Sequence, residues 1–225
     1  SGNFYFAAGK EAQVANNQIF KQLFPIFKCI NFNAGLLTKK SGYSFKDSNM
    51  KYAPVQNFIN GCFSTSGSSR LLEVISPVDG TLLSTVPMSG YKDLDEAMVH
   101  AEKAFKNWSR IPIKERVQVL FRYRYLLEKN LQELATLVME ENGKTLSEAV
   151  AEIEKCSALT EFACSLPQLV TGELLQVSRG VGCRTEHVPL GVVAATVPFN
   201  SLPMVPQVTL PILLALVNIM ILKPS

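Results

Sequence analysis

Histidine is scarce in this 225-residue chain, with only His100 and His187, far apart. The five cysteines (Cys29, Cys62, Cys156, Cys164 and Cys183) are odd in number and contain no Cys-x-x-Cys pair. Zinc sites and disulfide frameworks both need suitably spaced ligands or paired thiols, so the pattern argues against each and fits a reducing compartment. An excess of charge of one sign is also lacking: 22 Lys and Arg against 19 Asp and Glu leave +3, with the basic residues scattered. Nucleic-acid binding needs a massed basic face, and this chain has none to offer. There is no low-complexity tract and no internal repeat. At 47% apolar and 18% charged residues the chain is too apolar for disorder. Its length allows one large domain or two small ones.

Acidic residues are nearly missing from residues 1–53, which hold seven lysines against Glu11 and Asp47 and have no arginine. Transit segments are poor in acid but favour Arg, so a variable N-terminal arm is preferred over a transit remnant. The chain starts at Ser1 without Met, which fits processing, an expression scar or an internal fragment. Charge is absent from Val188 to Leu222, a span longer than the roughly 20 residues of a bilayer-crossing helix. Pro189, Pro198, Pro203, Pro206 and Pro211 interrupt it, however, and a helix so broken needs protein neighbours to satisfy its backbone. Buried parallel strands explain the same gap, and no membrane partner is expected.

What is present reads as alternating elements. Asn60-Gly61 between apolar pairs signals a hairpin. Leu71–Ile75 and Thr81–Val86 read as strands joined by the turn Pro77-Val78-Asp79-Gly80. Asp93 caps a helix with Leu94, Ala97, Met98, Ala101, Ala104, Phe105 and Trp108 on one face. Pro112 opens a second helix, with Val117, Leu120, Phe121, Tyr125 and Leu126 as its apolar stripe. Leu131–Glu141 forms a third, closed by Gly143. Thr145 with Glu148 has the form of a capping box for a fourth, expected to end before Pro167.

The period then changes. Leu174–Val177 and Thr185–Val188 flank a Gly-rich turn and predict a second hairpin. Gly191–Val197 has the look of a strand buried on both faces, Pro206–Val217 of a helix, and Ile219–Leu222 of a second buried strand. Strand, helix, strand implies a parallel sheet, hence an α/β fold.

Six short motifs occur in a fixed order: Phe58-Ile59-Asn60-Gly61, Ser76-Pro77-Val78-Asp79-Gly80, Glu141-Asn142-Gly143-Lys144-Thr145, Pro189-Leu190-Gly191-Val192-Val193, Pro198-Phe199-Asn200 and Leu222-Lys223-Pro224-Ser225. Each is weak alone; together they resemble the N-terminal portion of aldehyde dehydrogenases over about residues 55–225. Phe199, where many relatives have Trp, is most similar to the methylmalonate-semialdehyde dehydrogenase branch. The resemblance implies the N-terminal part of that α/β fold, with a Rossmann-like parallel sheet and a protruding oligomerisation hairpin. Residues 54–225 would then be a partial NAD-binding domain, with the hairpin at about 171–190.

The resemblance also implies roles. An Asn at the carboxyl edge of a parallel sheet offers an amide to an oxygen gaining negative charge, and such preorganised donors are worth roughly 3 to 4 kcal/mol. The implied oxyanion role falls on Asn200, beside the plainer reading of a cap or turn residue. Lys223 is implied to contact the adenosine ribose of NAD, beside the reading of a solvated lysine. Backbone at Val197 and Phe199 is implied to line the nicotinamide side, with core packing as the alternative for Phe199.

The family's nucleophile, a Cys in a glycine-containing loop downstream of Lys-Pro-Ser, matches none of the five cysteines here, and the general-base Glu also belongs to that later half. The thioester it forms is released by water or coenzyme A. This stretch alone is therefore expected to be inactive, either as part of a longer NAD-dependent enzyme acting on an aldehyde or semialdehyde, or as a non-catalytic subunit or interaction module. Expected partners are an aldehyde, with coenzyme A as a candidate, and further copies in a homo-oligomer; the expected location is mitochondrial or cytoplasmic. Without a docking half, exposed sheet edge and apolar surface predict poor solubility. Relatives usually have Gly where Val217 stands and an aromatic or Pro where Ser201 stands; a Val at a positive-φ site costs stability.

Overall fold

The computed structural model describes residues 50–224, so the arm reading of residues 1–53 lies outside the described residues except at its last four positions. There the amides of Lys51 and Tyr52 donate to the carbonyls of Leu82 and Leu83.

The first expected hairpin forms as β1 (Asn57–Ile59) and β2 (Cys62–Ser64), paired Ile59 to Cys62. Asn60 and Gly61 take φ of 54° and 76°, the two left-handed residues that a type I′ turn requires. Strands β3 (Leu71–Ile75) and β4 (Leu82–Pro87) pair antiparallel about the expected turn.

Helix α1 (Tyr91–Trp108) starts earlier than its apolar pattern suggests, because Gly90 is the N-cap. Asp93 is not the cap; one turn inside, its Oδ2 accepts the Gly90 amide at 2.8 Å and so satisfies an orphan donor from within. Helix α2 (Ile113–Lys129) follows Pro112, as expected. Its buried face is Val117, Leu120, Leu126 and Leu127; Phe121 and Tyr125, read as part of the stripe, are exposed on the helix flank.

Helix α3 (Leu131–Asn142) ends at Gly143, whose φ of 76° is left-handed. A Cβ there would also lie 2.9 Å from Pro77 Cγ, so both conformation and space demand glycine. Helix α4 (Leu146–Leu169) opens with the expected capping box: the Glu148 amide donates to Thr145 Oγ1 at 3.3 Å and the Thr145 amide to a Glu148 carboxylate oxygen at 2.9 Å. It does not stop before Pro167. The proline removes only the hydrogen bond to residue 163, and the Val170 amide still closes the last turn on the Leu166 carbonyl.

The second hairpin is β5 (Glu173–Ser178) and β6 (Val181–Thr185), turning at Arg179-Gly180. Its second strand begins four residues before the expected Thr185, because Gly182 and Cys183 pair with Gln176 and Leu175 rather than lying in the turn. Every residue of both strands is exposed, Leu174 by 82%, so the hairpin stands out from the body.

Strand β7 (Val192–Thr196), helix α5 (Met204–Ala215) and strand β8 (Ile219–Lys223) form the expected βαβ unit, with parallel register from Val192–Ile219 to Thr196–Lys223. Strand β7 is not buried on both faces: Ala194 and Thr196 are exposed. Among the described residues the parallel sheet has two strands, so β7 meets less cover than a central strand would. The main core joins Trp108, Val117, Leu120 and Leu126 to Ala163, Leu166 and Ala215; a smaller one lies between α3 and α4 around Val138 and Ile153. Among the described residues no helix is long and apolar enough to cross a membrane.

Candidate functional site

The carboxyl edge of the parallel pair is built by register. Thr196 stands opposite Lys223, and the Val197 amide donates to the Lys223 carbonyl at 3.2 Å. The chain that leaves β7 through Pro198, Phe199 and Asn200 therefore passes over the end of the strand that carries Lys223. Asn200 and Lys223 thus sit at the same end of the sheet, where α/β folds take ligands. Both residues keep some access to solvent; Asn200 is exposed and Lys223 half-buried.

Phe199 is 73% exposed, which removes core packing as its explanation. Val197 is buried and its amide is used within the sheet, so any backbone contact to a ligand there falls to its carbonyl. Asn200 is not the cap of α5, whose N-cap is Pro203; it lies in the connecting loop.

That loop is held from the far side of the fold. Asn142 Nδ2 donates to the Phe199 carbonyl at 2.7 Å, and Lys144 Nζ donates to the Asn200 carbonyl at 2.8 Å. The Lys144 ammonium also reaches a carboxylate oxygen of Glu152 at 2.5 Å. Glu152 is buried on α4, and its other oxygen accepts the Met204 amide at 3.4 Å, at the electropositive start of α5. Beside this cluster, burial pushes the half-buried Glu141 carboxyl above its ordinary range.

Sequence reasoning places Asn142 and Lys144 in an ordered motif but gives them no role, because their partners lie 57 and 56 positions away. For Glu152 a local signal existed: a carboxylate among the buried Ala149, Ile153 and Cys156 of α4.

The exit of α5 aligns the second strand. The Asn218 amide donates to the Leu213 carbonyl and the Val217 amide to that of Leu214, a Schellman motif whose left-handed residue is Val217 at φ 75°. Buried Asn218 then takes the amides of Leu190 and Gly191 on its side-chain oxygen at 2.7 and 3.1 Å, tying the start of β7 to the start of β8.

Neither buried cysteine has the setting of an activated nucleophile. Cys156 is fully buried, and desolvation first, then the nearby Glu152 charge, push its thiol up to about 12. Cys164 is buried and also shifted upward, mainly by desolvation. Cys62 and Cys183 are exposed on the two hairpins. Among the described residues no cluster of His, Cys, Asp or Glu could hold a metal ion.

Comparison with known proteins agrees with this architecture. The family model for the aldehyde dehydrogenase family matches residues 63–225. Malonate-semialdehyde dehydrogenase 1 of Geobacillus kaustophilus is 38% identical over 172 residues, covering 76% of this chain and 35% of that protein. The structure of a methylmalonate-semialdehyde dehydrogenase from Sinorhizobium meliloti complexed with NAD superposes with a TM-score of 0.76 at 29% identity, covering 80% of this chain and 36% of that one. That of methylmalonate-semialdehyde dehydrogenase from Oceanimonas doudoroffii gives 0.72 at 33% identity, covering 75% and 34%. The chain spans about a third of the length of the curated relatives it matches. With the family model matched from β2 to the last residue, and with the sheet edge and motif order described above, the chain belongs to the aldehyde dehydrogenase family, on its methylmalonate-semialdehyde dehydrogenase-like branch.

Proposed function

We propose that this chain serves the oxidation of an aldehyde or semialdehyde by a nicotinamide dinucleotide, NAD in the first instance. The observation that carries the reading is the Thr196–Lys223 register, which sets Asn200 and Lys223 at one end of a parallel pair. Relatives at 38% identity carry malonate-semialdehyde names, and the Sinorhizobium structure holds NAD; both support the reading.

The residues present fit such a ligand in kind. The exposed loop with the Asn200 amide and the half-buried Lys223 ammonium at the strand end present polar groups to solvent. Lys223 would hold the ribose side, and the Val197 carbonyl with the Phe199 backbone the nicotinamide side. Bound there, the dinucleotide supplies the hydride acceptor. Asn200 would donate its side-chain amide to the aldehyde oxygen as that oxygen gains charge, a contribution of about 3 to 4 kcal/mol in comparable sites. This stretch by itself would not turn over an aldehyde, a reading supported by the burial and raised thiols of Cys156 and Cys164. The acyl acceptor in the complete enzyme would be coenzyme A or water.

The exposed β5–β6 hairpin would pair subunits in a homo-oligomer, within an NAD-binding unit spanning 54–225 behind a variable arm of 1–53. The location would be mitochondrial or cytoplasmic. A second reading, a non-catalytic subunit that associates through this hairpin, is favoured by the apolar Leu174, Leu175, Val177 and Val181 it exposes.

Titration of NADH into the chain, followed by nucleotide fluorescence, tests the proposal. Binding should saturate and weaken at least tenfold in Lys223→Ala. Saturation identical in wild type and Lys223→Ala would remove Lys223 from the site, and no saturation at all would leave the subunit reading.

A further inference from the structure

We infer that Lys144, together with Asn142 and backed by Glu152, is a positioning group that sets the direction of the Asn200 side chain. The inference rests on the proposed role of Asn200 at the sheet edge. Its basis is the placement of the two tethers. The Phe199 carbonyl belongs to the peptide unit before the Asn200 Cα, and the Asn200 carbonyl to the unit after it. Asn142 Nδ2 holds the first at 2.7 Å and Lys144 Nζ the second at 2.8 Å. With both flanking peptide planes held, φ and ψ of residue 200 are set, and with them the line along which its Cβ leaves the backbone.

Both tethers come from one rigid place. Asn142 and Lys144 flank Gly143, whose left-handed turn against Pro77 orients the two side chains from the end of α3. Lys144 is aimed in turn by Glu152, buried on α4 at 2.5 Å. The same carboxylate accepts the Met204 amide, so the loop's far end is referred to the same anchor. The loop from Val197 to Pro203 is otherwise irregular, and a side chain needed at a fixed point must borrow its rigidity from such contacts. A lysine serves here because its ammonium has three donors, enough for a carboxylate and a carbonyl at once.

Nuclear magnetic resonance of the full chain tests this, with the Asn200 side-chain amide identified by its loss in Asn200→Asp. In wild type, residues 199–202 should show order parameters near ~0.85. In Lys144→Met they should fall below ~0.6, and the Asn200 side-chain pair should shift or broaden, while β7 and β8 stay unchanged. Lys144→Arg should restore most of both signals. If Lys144→Met does not fold, Asn142→Ala carries the test, and residues 199 and 200 should loosen in it. Unchanged loop order in either variant, or no recovery with Arg, overturns the inference. A loop that responds in a wild-type chain that binds no NADH keeps the clamp and removes the cofactor reading instead.

Discussion

The indole Nε1 of Trp108 donates a 2.8 Å hydrogen bond to the backbone carbonyl of Leu214, joining the last residue of α1 to the last turn of α5. Beside it, buried Arg116 donates through Nε to the Ala215 carbonyl at 3.0 Å and through Nη1 to the Ile111 carbonyl. The last carbonyls of a helix have no partner four residues on; here the Val217 amide caps that of Leu214, and two side chains from other helices add donors at Leu214 and Ala215. The crossover helix is thereby seated against the rest of the fold, and with it the strand that carries Lys223. Trp108→Phe keeps the ring but leaves the Leu214 carbonyl without this donor. The Val217 amide still caps that carbonyl, so the substitution should lower stability by about 0.5 to 1.5 kcal/mol in urea unfolding. A loss under half a kilocalorie would mean that water replaces the indole freely.

Val217 takes the left-handed place in the Schellman motif at φ 75°, a conformation that costs an L-residue roughly 1 to 2 kcal/mol and a β-branched one no less. Glycine there relieves the strain and returns part of the gain as lost chain entropy. Val217→Gly should stabilise by about 1 kcal/mol, a rise in Tm of roughly 2 to 4 °C by calorimetry. A lower Tm would show that packing of the half-buried Val217 side chain outweighs the strain.

The Thr145 hydroxyl, and then its backbone amide, hold the Glu148 carboxyl below its ordinary range. A group whose folded value is depressed adds stability above its unfolded value, near pH 4.3, and loses it as pH falls through the lower folded value. Glu148→Gln should therefore flatten the acid side of a stability profile while changing little at neutral pH beyond a constant offset. Thr145→Ala should cost about 1 kcal/mol at neutral pH through the lost cap. Urea midpoints from roughly pH 6 to pH 3 read both effects. An acid limb identical in wild type and Glu148→Gln would discard the linkage.

Glu141 behaves in the opposite sense, since burial raises its carboxyl. Its folded form binds a proton more readily, so stability is greatest below the unfolded value and declines as pH rises through the folded one. Glu141→Gln should stabilise the chain at neutral pH, and the advantage should vanish in acid. An advantage that persists unchanged at low pH would assign the gain to packing rather than to charge.

Thiol labelling of the native chain should divide the described cysteines. Exposed Cys62 and Cys183 should react with iodoacetamide at neutral pH, while Cys156, buried with its thiol pushed up to about 12, should react only after denaturation. Rapid native labelling of Cys156 would contradict its burial and reopen its exclusion as a nucleophile.

Much of the fold is local and was legible as text. Asn60-Gly61, the Thr145–Glu148 box and Gly143 are conformational demands made within a few residues, and each appears where it was expected. The βαβ unit was legible because its period and turn residues are also local, and the ordered motifs pointed to the family that the comparisons show. The exposure of Phe121 and Tyr125 was not legible, because a helix face is chosen by what packs against it. The continuation of α4 through Pro167 depended likewise on the chain finding a last-turn bond at Val170.

The chain's own order of residues determined which elements form, where they turn, and that a parallel pair ends near positions 196 and 223. Tertiary structure alone decided that Lys144 and Asn142 grip the loop beneath Asn200, that Glu152 reaches the Met204 amide, and that Trp108 and Arg116 close the crossover helix. Turns and caps depend on neighbours a few bonds away, so sequence exposes them. Contacts across more than fifty residues exist only once packing has brought their partners together, and no local pattern records them.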